Sequence, residues 1–172
     1  MKRVVWGSDM RNEKIIRLKP IGIIHTPFHE KRGMPIQPAG AKGISGTVEV
    51  FEEYADGLAD IDGFSHVILL YHFHEAGPVS MKVVPFMDKE KRGLFATRAP
   101  ARPNPIGLSI VELEKVEGTR LAVSGIDVLD GTPLLDIKPY VPAFDHREKV
   151  RTGWLKSVSH RVGKTRSDDR FR

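Results

Sequence analysis

Short apolar runs broken by turn residues, with no long helical periodicity in the body of the chain, restrict this sequence to a fold built of strands. "RLKPIGIIHTPF" is apolar around Ile21, Ile23 and Ile24. "GISGTVEVF" alternates, with Val48 and Val50 on one face and Thr47, Glu49 and Phe51 on the other. "FSHVILLYHFHE" is long, β-branched and aromatic, and reads as a strand buried on both faces. "MKVVPF" and "GLFATR" are short strand candidates. "GLSIVELEKVEG" and "TRLAVSGIDVL" read as a hairpin turning at Glu117-Gly118-Thr119, and "LLDIKPYVP" follows the turn signal Asp130-Gly131. "EEYADGLADIDG" is the helix candidate of the body, short and containing glycine. The expected class is all-β: a small β-barrel with short helices and a basic C-terminal tail. A doubly wound nucleotide-binding fold would need strand–helix alternation and a glycine-rich first turn, and the sequence has neither.

At 172 residues, 40% hydrophobic and 28% charged, the chain suits one packed domain with appendages. The expected division is an N-terminal extension over 1–16, a barrel over 17–146 and a basic tail over 147–172. The absence of cysteine removes disulfides, thiolate zinc sites and thiol nucleophiles. No apolar run approaches the roughly 18 residues of a membrane span, and the first residues make a poor signal peptide, so the expected location is the cytoplasm. The formal charge of +5 is concentrated in "HREKVRTGWLKSVSHRVGKTRSDDRFR". Such a tail suits a phosphate backbone or a solvated end. Trp154, Leu155, Val158 and Val162 have helical spacing, so a short helix would dock on the barrel and leave its basic face outward.

The segment "ATRAPARPNPIGLS" joins three prolines to two arginines and an asparagine. Pro103 and Pro105 push Arg102 and Asn104 toward extended backbone, so the two should project together from a stiffened loop. With Arg98 upstream they form a preorganised donor set for an anionic ligand, or else a clamp within the fold. In "SGIDVLDGTPLLDIKPY" a tight turn is surrounded by Asp127, Asp130 and Asp136. Asp130 suits a turn former, and Asp136 suits an ion pair with Lys138. His72 and His74 would share a strand face, with His66 further along it, but no His–Glu spacing of a metallohydrolase accompanies them, and no metal is expected. Ser45 and Ser109 have no visible base.

Taken together, "GLFATR", "RPNPIGLSIVEL" and "DVLDGTPLLDIKPYVP" resemble the TsaA-like (TrmO-type) family of tRNA methyltransferases. "IGIIHTPF", "PIQPAG" and "DGFSHVILLYHFHE" extend the resemblance over roughly 18–144. It implies a β-barrel homodimer that uses S-adenosylmethionine to methylate N6 of N6-threonylcarbamoyladenosine beside the tRNA anticodon. It implies cofactor contacts from Gln37, Pro38, Ala39, His74, Glu75, Arg98, Leu108, Asp127, Val128, Leu129, Asp130, Gly131 and Thr132. Ala39 and Glu75 depart from residues common there, and a short basic tail stands where some bacterial members carry a large extension.

Under that resemblance Asp130 and Asp136 are the candidates to take the N6 proton. Arg102, Asn104, Lys138 and Tyr140 are the candidates to hold the substrate. A non-catalytic RNA-binding barrel, or a methyltransferase of the same fold acting on another small molecule or nucleobase, are the alternatives.

Overall fold

The computed structural model describes residues 15–171. The extension expected over 1–16 therefore lies almost wholly outside them. Eight strands run β1 (Gly22–His25), β2 (Ser45–Val50), β3 (His66–His72), β4 (Lys82–Val83), β5 (Arg92–Gly93), β6 (Ile106–Glu117), β7 (Arg120–Ser124) and β8 (Thr132–Pro139). Six close into a barrel in the order β1-β2-β7-β6-β3-β8, with every pairing antiparallel, and β4 and β5 form a separate ribbon. Closure leaves no unpaired edge in the main sheet. Among the described residues no helix is long and apolar enough to cross a membrane.

Alternation decides which residues fill the barrel. Ile24, Val48, Val50, Val67, Leu69, Tyr71, Val111, Leu113, Leu121, Val123 and Leu134 point inward, and Ile126 and Val128 plug the space beneath the β7–β8 connection. Truncating one of the fully buried leucines, such as Leu69, would cost about 2–5 kcal/mol. β6 and β7 pair from Glu117 with Arg120, leaving Gly118-Thr119 as the two-residue turn that the sequence implies.

Three expectations change. β3 is not buried on both faces: Val67, Leu69 and Tyr71 are buried, whereas His66, Ile68, Leu70 and His72 are half-buried on the outside. Its richness in apolar residues reflects an outer surface that is itself apolar. β3 also ends at His72, so His74 lies in the following turn and does not share the strand face. Third, "GLFATR" is strand only at its first glycine; Leu94–Ala96 coils into a 3-10 turn. The helix candidate of the body forms two 3-10 segments, Glu52–Leu58 and Ile61–Gly63.

After β8 comes one turn of α-helix, α1 (Pro142–Asp145), and then the basic tail. Trp154, Leu155, Val158 and Val162 are half-buried between exposed neighbours, so the apolar face is as expected. The single helix is not. Two 3-10 segments, Gly153–Ser157 and Ser159–Arg161, carry it, and their tighter winding follows the surface beneath. Further on, Pro35 and Arg166 form a β-bridge. The Gly33 amide donates to Ser167 O at 3.0 Å, the Ser167 amide to Met34 O at 2.9 Å and the Met34 amide to the Ser167 hydroxyl at 2.8 Å. Phe171 ends the wrap by packing on a second cluster of Val83, Leu94, Ala99 and Ala101.

Candidate active site

A cavity of about 750 Å³ lies where the β3 end, the β7–β8 turn, the segment after β1 and the tail converge. That size suits a small organic ligand. Its walls hold ten of the residues expected at the cofactor: Gln37, Pro38, Ala39, His74, Glu75, Arg98, Asp127, Val128, Leu129 and Thr132. These come from four separate stretches of sequence, which the barrel brings together at one end.

Hydrogen bonds fix the stretches to one another. Arg98 Nη1 donates to Gln37 Oε1 at 2.8 Å, joining "ATR" to "PIQPAG". Lys31 Nζ donates to the Glu75 carbonyl at 3.0 Å. The turn before β8 is tied to the end of β1 by Asp130, whose Oδ1 accepts the Thr26 amide at 2.9 Å. The Asp130 amide donates to Phe28 O at 2.7 Å, and the Gly131 amide to Ile24 O at 3.0 Å. Gly131 has φ +73°, a backbone that a side chain would strain. His25 and His29 also approach Asp130, at 3.7 and 3.5 Å. Asp130 and Gly131 therefore hold the turn in place, and neither lines the cavity.

Asp127 does line it. Its Oδ1 accepts the Ser109 hydroxyl at 2.5 Å, and Ser109 Oγ lies 3.0 Å from the Tyr71 phenol. Ser109 has one proton and gives it to the carboxylate, so Tyr71 donates to Ser109. Burial pushes the Asp127 carboxyl up to about 6, opposed by the Ser109 hydrogen bond and by the nearby Arg98 charge. Burial, together with the Asp127 charge, also holds the Tyr71 phenol above its ordinary range. The Tyr71 ring stands edge-on to Phe73 at 5.4 Å. Gly107 of β6 makes room for that ring: a methyl there would collide with Tyr71 Cε2 and Cζ.

Leu108, Asp136 and Lys138 lie elsewhere, and pairing register explains why. Leu108 faces Leu70, Asp136 faces Leu70 from the other side, and Lys138 faces Ile68, so all three are on the outer face of β6-β3-β8. A bulge between Leu134 and Asp136 keeps Leu134 inside while Asp136 turns out. Asp136 pairs with Lys138 at 2.7 Å, and Tyr140 stacks edge-on against His66 at 6.3 Å. Arg102 turns back into its own loop: Nη1 donates to Thr97 O at 3.0 Å and Ala99 O at 3.4 Å. Asn104 is exposed, so the two do not project as a pair.

Sequence reasoning missed Tyr71, Phe73, Phe95 and the tail residues Trp154, Leu155, Val162 and Phe171 as cavity walls. The tail's apolar spacing was the available signal for three of them. Among the described residues no group of three or more His, Asp or Glu is arranged to hold a metal ion.

Known proteins share this sequence pattern and this fold. The sequence pattern of the tRNA-methyltransferase O N-terminal domain matches residues 23–146. A probable S-adenosyl-L-methionine-binding protein of Pyrococcus abyssi is 58% identical over 157 residues, covering 91% of this chain and 85% of that protein. The human tRNA (adenine(37)-N6)-methyltransferase is 39% identical over 139 residues, covering 77% of this chain but 32% of the human protein. Among solved structures, TrmO from Pseudomonas aeruginosa superposes with a TM-score of 0.69 at 43% identity, over 82% of this chain and 63% of that one. The chain belongs to the tRNA-methyltransferase O family.

Proposed function

We propose that this chain is a cytoplasmic S-adenosylmethionine-dependent methyltransferase that modifies N6 of N6-threonylcarbamoyladenosine beside the anticodon of tRNA. The observation that carries the reading is the convergence of Gln37–Ala39, His74–Glu75, Arg98 and Asp127–Leu129 on one cavity. The residues present fit the cofactor. The walls are largely apolar, the volume of about 750 Å³ leaves room for a nucleoside and an amino-acid moiety, and Arg98 offers a positive charge to the carboxylate of that moiety. S-adenosylmethionine supplies the electrophilic methyl group.

This chain's own part is to orient the acceptor and receive its proton. Of the three carboxylates around the turn, Asp127 is the one in the cavity wall, so it, rather than Asp130 or Asp136, is assigned as proton acceptor. Its proton affinity favours the ionised form at neutral pH while keeping it basic enough to accept.

A homodimer belongs to the same reading. Ile106, Leu108 and Ile110 are 40%, 42% and 37% exposed along the outer face of β6. A second copy covering that face would bury them and bring Leu108, Asp136 and Lys138 toward a neighbouring site. Sedimentation of the wild type as a monomer with full activity would remove the dimer from the proposal.

The test is calorimetric titration with S-adenosylmethionine, followed by mass analysis of tRNA nucleosides after incubation with the cofactor. The expected result is stoichiometric binding and conversion of threonylcarbamoyladenosine to a nucleoside one methyl group heavier. Binding without that conversion would point to another acceptor. Absence of binding would favour the non-catalytic RNA-binding barrel.

A further inference from the structure

Phe95 combines features that folding alone does not explain. It lines the cavity, yet 70% of it is exposed. Its turn is held rigidly. Leu94 is buried in the second apolar cluster, its amide donates to Met81 O at 3.0 Å, and the Thr97 hydroxyl donates to Leu94 O at 2.7 Å. On the other side the Trp154 indole donates to Ala96 O at 2.8 Å. A large apolar ring is thus fixed at the cavity mouth with most of its surface in water.

The surroundings are cationic. The Arg102 guanidinium lies over the Phe95 ring, 5.7 Å from its centroid. Its protein hydrogen bonds come from Nη1 and go to backbone carbonyls, and among the described residues no carboxylate forms an ion pair with it. The other guanidinium donors remain for a phosphate. An aromatic face beside an unneutralised arginine is the pairing that receives an unstacked base and its backbone.

We infer that Phe95 and Arg102 form a stacking seat at the cavity mouth for one unpaired nucleobase next to the base being modified, with Arg102 on the adjoining phosphate. The inference rests on the tRNA reading above and specifies which part of the nucleic acid meets which part of the rim. Placing the neighbouring base outside the cavity would leave the cavity itself to the target base and the methyl donor. Charge complementarity selects nucleic acid over a second copy of this chain, whose own rim would bring like charges together.

The test uses the full chain and an RNA hairpin carrying 2-aminopurine in its loop beside the target adenosine, with Phe95→Ala, Phe95→Leu and Phe95→Trp. Because Phe95 is largely exposed, the variants should melt like the wild type. Wild type and Phe95→Trp should quench the 2-aminopurine. Phe95→Ala and Phe95→Leu should lose RNA affinity by roughly five- to a hundredfold, the range of one base–aromatic stack, and lose far more of it than of S-adenosylmethionine affinity. Leucine behaving like phenylalanine would overturn the seat, as would an equal loss of cofactor affinity or conversion of a dimer to a monomer by Phe95→Ala. Quenching by a wild type that methylates no tRNA would leave the seat standing and remove the substrate reading.

Discussion

Ser109 gives its hydroxyl proton to Asp127 at 2.5 Å, and this bond joins the barrel interior to the cavity wall. Burial raises the Asp127 carboxyl from 3.8 to about 6 in the folded chain. Between pH 4 and 6 the folded state therefore binds more protons than the unfolded one, and stability falls as pH rises through that window. Asp127→Asn keeps an acceptor for Ser109 but cannot ionise. The variant should be more stable than wild type at pH 7–8, on the order of 1–3 kcal/mol, and the difference should vanish near pH 4. Urea unfolding across pH 4–8 checks this; parallel curves would refute it. Methyl transfer should meanwhile fall sharply in the variant.

Gly107→Ala should be severe although it adds one methyl group. The new Cβ would meet the buried Tyr71 ring, which is packed inside the barrel and cannot swing away cheaply. Overpacking of this kind costs about 1–3 kcal/mol. Loss of the Tyr71–Ser109 hydrogen bond should accompany it. A melting temperature equal to wild type would show that the ring has more freedom than its packing implies.

Arg98→Ala should weaken S-adenosylmethionine binding by about 1.5–3 kcal/mol if its contacts are charge-assisted. Gln37 holds that guanidinium at 2.8 Å, so Gln37→Ala should act in part through Arg98. The double variant should then lose less than the sum of the single losses in calorimetric titration. Strict additivity would separate the two residues.

Truncation after Ser159 probes two roles of the tail at once. It removes Val162, Ser167 and Phe171, all of which line the cavity, so cofactor affinity should fall along with tRNA affinity. A tail that met phosphates alone would lose only tRNA affinity; its place in the cavity wall predicts both losses. Replacing Lys156, Arg161 and Lys164 by glutamine isolates the other role. Those exposed cations should affect tRNA binding and its salt dependence while leaving the cofactor untouched. Unchanged salt dependence in the glutamine variant would dismiss phosphate contacts by the tail.

The strands and the β6–β7 hairpin were legible because alternation and turn chemistry are local. Val48 and Val50 separate from Thr47 and Glu49 within a few residues, and Gly118 marks its own turn. The candidate site was suggested mainly by the resemblance, since its residues meet only after closure. Ser109 shows no partner in the sequence because Asp127 is on the far side of the hairpin and Tyr71 on another strand. Register, which sequence spacing does not encode, likewise sent Asp136 and Leu108 to the outer face. The tail's apolar spacing was visible, but its 3-10 winding depends on the surface to which it is fitted.

Barrel closure also sets an order of assembly. β1 pairs with β2 on one side and with β8 on the other. Its second partner is made only after most of the chain has emerged, and long-range pairing of this kind is slow to form. The hairpin of β6 and β7 can form early from its own residues, whereas the ring of strands waits for Thr132–Pro139. The tail then has to find Gly33, Met34 and Pro35, neighbours of a strand laid down at the outset. A nascent chain would thus lack one wall of its ligand chamber until the segment carrying Val162, Ser167 and Phe171 had settled, so a closed barrel is not by itself a binding-competent one.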